Sequence, residues 1–182
     1  MAEKFSLTQL KQQLKVKTQV ELVEEIAGLC KRFPQVKEYY QAASSGYDDV
    51  EILQKYKAIV QAEFVPGFKK KYPEGRLSIA RKAITDYKKV SSSALGLADL
   101  MLTYVESGVI FTNEYGDIDE PFYNSMESMY QSTLKHLLKA QIFADFEDRL
   151  LAVLKDTRDM GWGFHDSLCY LYEQLVGHQP EF

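Results

Sequence analysis

His165 and Cys169 stand four residues apart near the C-terminus, a spacing that puts both side chains on one face of a helix. A cysteine beside an imidazole supports nucleophilic or redox chemistry, or supplies two ligands to a metal. Glu173 prolongs the row, but at 1.5 Å of rise per residue it lies about 12 Å from His165, too far to share an ion. The neighbouring Asp166 does not form a dyad with His165, because adjacent side chains on a helix diverge. All these residues follow the only tryptophan of the chain, in Gly161-Trp162-Gly163-Phe164-His165-Asp166. A functional reading makes Trp162, His165, Asp166 and Cys169 a ligand pocket walled by the indole. A local reading needs no ligand. Gly161 would take the left-handed position after one helix, and Trp162 would fold back on that helix. Gly163 would cap the next, with Asp166 in its first turn and Phe164 as an apolar anchor. His165 alone keeps no structural task in that reading.

A second candidate is cationic. Between Phe68 and Val90 there are eight bases and two acids, and Lys69, Lys70, Lys71, Arg76, Arg81 and Lys82 alternate with Phe68 and Tyr72. Cations interleaved with aromatics suit phosphate contacts and base stacking. The first 67 residues carry nine acids and nine bases, and the chain from Ser91 onward carries fifteen acids and five bases. Such a split steers a charged partner or satisfies itself within the fold.

Other chemistries find little footing. Gly116 is misplaced for a calcium-binding EF-hand loop around Asp117, Asp119 and Glu120. There is no phosphate-cradling glycine loop and no nucleophile elbow. His136 and His178 add no constellation. No cofactor and no metal are expected. Cys30 and Cys169 are too few for a disulfide framework. The N-terminus lacks a signal-like apolar core, and no apolar run suggests a membrane span, so a cytoplasmic protein is expected.

The elements that position these residues read as helices throughout. Leu7, Leu10 and Leu14 mark a first helix capped by Ser6. Val23, Ile26, Ala27, Cys30 and Phe33 mark a second, with Cys30 expected in the core. Together they resemble the helix-extended-helix hairpins of some DNA-binding proteins, with Lys11, Lys15 and Lys17 near the turn but without the usual glycine. Pro34 suits the start of a third helix, and Ser44 to Asp49 reads as a loop whose Asp48 or Asp49 caps a fourth, Val50 to about Phe64. Further stripes run through Ala80 to Tyr87, Leu97 to Val105, Phe122 to Leu138, Leu150 to Leu154 and Leu168 to Val176. Val109 to Thr112 reads as the end of a helix and a buried loop. Pro121 opens the helix after the acidic loop, and Gly177 ends the last one.

Two stretches, Phe33-Pro34-Gln35-Val36-Lys37-Glu38-Tyr39-Tyr40 and the Gly161–Asp166 segment, together with the leucine-patterned hairpin, resemble a family of small bacterial proteins known only as a domain of unknown function. The resemblance covers nearly the whole chain. It implies a bacterial, cytoplasmic, helical protein, and it carries over no catalytic residue.

The chain is thus expected to be an all-α single domain, residues 1–182, in which residues 1–45 could form a subdomain. About eight to nine helices should pack in antiparallel pairs, as a compact bundle or a short α-α superhelix. The first-ranked role is a non-enzymatic interaction or scaffold protein that binds a protein partner or itself. Nucleic-acid binding through residues 68–90 ranks second, and a small enzyme or metal binder using His165 and Cys169 third.

Overall fold

A computed structural model describes residues 5–44 and 50–180. Among the described residues there are nine α-helices, one 3₁₀ turn (Phe143–Asp145) and no strand. The helices are α1 (Leu7–Lys15), α2 (Gln19–Arg32), α3 (Pro34–Ser44), α4 (Val50–Phe64), α5 (Leu77–Val90), α6 (Ala94–Tyr115), α7 (Glu120–Ala140), α8 (Glu147–Asp156) and α9 (Phe164–Val176). The expected Asp48 or Asp49 cap lies outside the described residues.

Three consecutive helix pairs run antiparallel, as short connections favour. In α4 and α5, Tyr56 meets Tyr87 while Glu63 meets Arg76. In α6 and α7, His136 reaches the Ala94 carbonyl while Tyr104 bonds Ser125. In α8 and α9, Glu147 meets Tyr172 while Thr157 meets His165. The pairs stack around α6, which packs against α4, α5, α7 and α8. By length and composition α6 would suit a membrane span, with mean hydropathy 1.4, but 67% of that window is buried inside the fold. Gly108 lets α7 approach closely, because a Cβ there would collide with Met126. Where α4, α6 and α7 meet, Phe64 packs edge-on against Phe111 and Phe122, whose own rings are tilted by 33°.

Several local expectations change. Val109 to Thr112 is neither a helix end nor a loop: α6 runs through it to Tyr115, with Val109, Phe111 and Thr112 buried. Burial on several sides explains its β-branched, aromatic composition. Pro121 occupies the second helical position, after Glu120, and Asp119 caps the helix through the Phe122 N–H at 2.9 Å.

The largest change concerns the N-terminus. Ser6 caps α1 and Thr18 caps α2, each in a reciprocal capping box, so both helices are locally well specified. Yet no residue of either helix is buried. Along α2, Val23 is 58%, Ile26 37%, Leu29 40% and Phe33 51% exposed. Cys30, expected in the core, is half-buried on the edge of this stripe. The apolar periodicity is real, but although α3 packs against α2, Val23, Ile26, Leu29 and Phe33 stay exposed. The chain joins the body at α3, where Glu38 accepts from Tyr56 at 2.9 Å and pairs with Lys55, and Ala42 is buried.

Candidate functional site

The C-terminal hinge links α8 to α9. Thr157 ends α8, fully buried, and its hydroxyl donates to the Leu154 carbonyl at 2.9 Å. Its oxygen then faces His165 Nδ1 at 3.2 Å. With the hydroxyl proton already given to Leu154, the Thr157 oxygen can accept from Nδ1. The Cys169 sulfur lies 3.5 Å from Nε2 of the same ring. The expected i,i+4 meeting of His165 and Cys169 therefore occurs, and His165 joins the end of α8 to the first turns of α9.

The thiol is not activated by this neighbour. Burial, and after it the Asp166 carboxylate, push Cys169 above its ordinary value, with Arg158 opposing. A nucleophilic cysteine needs the reverse environment. Asp166 sits at the third position of α9, as the dipole favours. Among the described residues no group of three His, Cys, Asp or Glu side chains converges as a metal site.

The backbone corrects the rest of the hinge reading. Gly161 is not left-handed; Trp162 (φ 62°) and Gly163 (φ 66°) are. Gly163 does precede α9 as its cap, and Phe164 is the buried anchor, against Tyr123. Gly161 is required by contact instead of by dihedral. Its N–H donates to Asp117 Oδ1 at 3.2 Å, and Tyr123 donates its hydroxyl to the same oxygen at 2.8 Å. Trp162 does not fold back on α8; it is 64% exposed. The supposed pocket wall is an outward-facing side chain.

The basic segment is tied into the fold. Arg76 grips buried Glu63 through two bonds of 2.8 Å and also reaches Glu74, which Lys70 meets at 2.6 Å. The Arg76 hydrogen bond holds the Glu63 carboxyl below its ordinary value despite burial. Lys82 and Lys89 both converge on Asp86. Arg81 donates to Ser125 and lies over the Tyr104 ring. Lys69 and Lys71 extend from the connector between α4 and α5, and Lys88 from α5.

The sequence pattern missed one arrangement. Asp99 and Glu106 project from α6 toward Arg149 of α8, whose guanidinium donates twice to Glu106 (2.8 and 2.7 Å) and once to Asp99 (2.7 Å). Lys57 of α4 closes the chain on Asp99 at 2.9 Å. Burial pushes the Asp99 carboxyl up, but the bonds and charges of Lys57 and Arg149 outweigh it, and the net value is lowered. Bonds to Glu106 and Asp99 raise the Arg149 guanidinium against burial. Arg149 separates two surface cavities. The larger, about 660 Å³, is walled by Val50, Leu53, Leu95, Ile142 and Phe146. The smaller, about 290 Å³, includes Glu106, Ile110 and Ala152. Neither lining includes a histidine or cysteine among the described residues. The sequence signal for this network is the seven-residue spacing of Asp99 and Glu106 on a largely apolar helix.

Comparison with known proteins adds a family and no activity. A model of the family of unknown function DUF6155 matches residues 5–175, so the chain belongs to that family. No curated protein and no solved structure matches it.

Proposed function

We propose that this member of a family without an assigned activity is a non-enzymatic protein-interaction protein, with the α1–α2 hairpin as its docking arm. The supporting observation is that a regular apolar stripe on two well-capped helices leaves no residue of either buried. Leaving such a stripe in water forgoes roughly 1.5–3 kcal/mol for each large side chain that burial would cover. Contiguous exposed apolar surface on a folded protein marks an interaction site. The body behind the arm offers anchorage instead of chemistry. Its His165–Cys169 pair holds a thiol raised by burial, and its ionic network consists of mutually paired groups.

A photo-crosslinking residue at Val23 of the full chain tests this reading in cells that naturally make the protein. Discrete adducts should form and disappear in an Ile26→Glu/Leu29→Glu variant whose melting temperature is unchanged. Adducts that persist in the variant, or a collapse of its melting temperature, would overturn the docking arm. The second result would mean that the stripe is covered by the chain's own body.

A further inference from the structure

We infer that the surface covering α2 is the α2 of a second copy of this chain, packed antiparallel about a two-fold axis; this rests on the docking-arm reading above. The reason is a heptad repeat with inverted charge. Leu22-Val23-Glu24-Glu25-Ile26 recurs seven residues later as Leu29-Cys30-Lys31-Arg32-Phe33. Apolar positions map onto apolar ones, so the stripe of Leu22, Ile26, Leu29 and Phe33 is continuous along one face, with Val23 and Cys30 beside it. At 100° per residue, Glu25 and Arg32 border one edge of that face, Val23 and Cys30 border the other, and Glu24 and Lys31 lie on the far side of the helix. The charged edge is acidic toward the start of the helix and basic toward its end.

Parallel pairing would set Glu25 level with Glu25 and Arg32 level with Arg32. Antiparallel pairing brings Glu25 opposite Arg32, twice by symmetry. Edge charges flanking an apolar seam select partner orientation in this way. The stripe is self-complementary in the same register: Leu22 falls opposite Phe33 and Ile26 opposite Leu29. A face that matches itself under a two-fold rotation is what a closed dimer requires. Exposure at Val23, Ile26, Leu29 and Phe33 leaves the seam open along its length. Lys17, in the turn before α2, pairs with Glu25 of that helix, and both partners remain partly exposed.

The test is the solution mass of the full chain by light scattering over about a hundredfold concentration range. The wild type should pass from monomer to dimer. Glu25→Arg or Arg32→Glu alone should each weaken the dimer by about tenfold, because symmetry turns two attractions into two repulsions. The Glu25→Arg/Arg32→Glu double variant should restore it. In a Cys169→Ser background, the two Cys30 residues would be offset by about 7.5 Å along helices 8–10 Å apart, so a short bismaleimide should trap the dimer. A chain that stays monomeric overturns self-pairing but leaves the docking arm, which the Val23 adducts judge separately. A dimer that survives Ile26→Glu/Leu29→Glu overturns self-pairing through α2. A double variant that fails to restore what the single reversals remove overturns the antiparallel register.

Discussion

Gly161 and Asp117, 44 residues apart in the chain, meet so closely that a Cβ on the glycine would lie 2.5 Å from Asp117 Oδ2. The Gly161 N–H donates to Oδ1 of the same carboxylate. Together they clip the acidic loop before α7 to the hinge before α9.

The clip predicts coupling between its two partners. Gly161→Ala should destabilise the protein by about 1–2 kcal/mol, through displacement of the carboxylate and loss of its hydrogen bonds. Asp117→Ala should cost about as much. The double variant should cost less than the sum, since removing the carboxylate also removes the clash. Urea unfolding of the four proteins measures the coupling, and additive losses would contradict the clip.

Trp162 should contribute little to stability despite being the only tryptophan. It is exposed and held at φ 62°, a region that costs a residue with a Cβ roughly 1–2 kcal/mol. Replacing it by glycine relieves that strain and loosens the unfolded chain, two effects that oppose each other. Trp162→Gly should therefore lie between no change and a gain of about 1 kcal/mol in thermal unfolding. A loss above about 2 kcal/mol would show that the indole packs on the fold.

Asp99 should make stability depend on acid in a defined window. Lys57 and Arg149 lower its carboxyl below the ordinary 3.8, so the folded state binds that proton less readily than the unfolded one. Its contribution is complete above about pH 4 and is lost as pH falls through the lower folded-state value. Asp99→Asn should cost about 1–3 kcal/mol at pH 7, because two cations lose their partner, discounted for partial exposure. The gap to wild type should narrow below pH 4. A gap that is constant from pH 7 to pH 3 would exclude the mechanism.

Cys169 should be a slow thiol. Burial and the Asp166 carboxylate raise it, so less thiolate is present at neutral pH than in a free cysteine. Alkylation by iodoacetamide at pH 7.5, followed by peptide mass spectrometry, should run at least about fivefold slower at Cys169 than in the unfolded chain. Asp166→Asn should speed it modestly by removing a like charge. Labelling faster than in the unfolded chain would reopen a nucleophilic role for the His165–Cys169 pair.

Much of this protein is local, and local features are legible in a sequence. Ser6 before a leucine repeat, Pro34, the Val50–Phe64 stripe, Gly163 before Phe164 and Gly177 after Val176 mark helix ends by backbone and capping chemistry that acts within a turn. The meeting of His165 with Cys169 follows from 3.6 residues per turn alone. Periodicity, however, states which face of a helix is apolar, not whether anything covers it. Val23, Ile26, Leu29 and Phe33 carry the same pattern as a core helix, and only the placement of α3 on the body leaves them open. Trp162 and Gly161 exchanged roles for a related reason: the dihedral demand fell on the tryptophan, while the glycine answers to Asp117. Asp99, Glu106, Arg149 and Lys57 come from three helices, and packing decides which charges meet. Sequence determined the helices, their ends and their i,i+4 partners, because those interactions close within a few residues. Tertiary structure decided which surfaces stayed in water and which charges found each other, because both depend on contacts between distant segments.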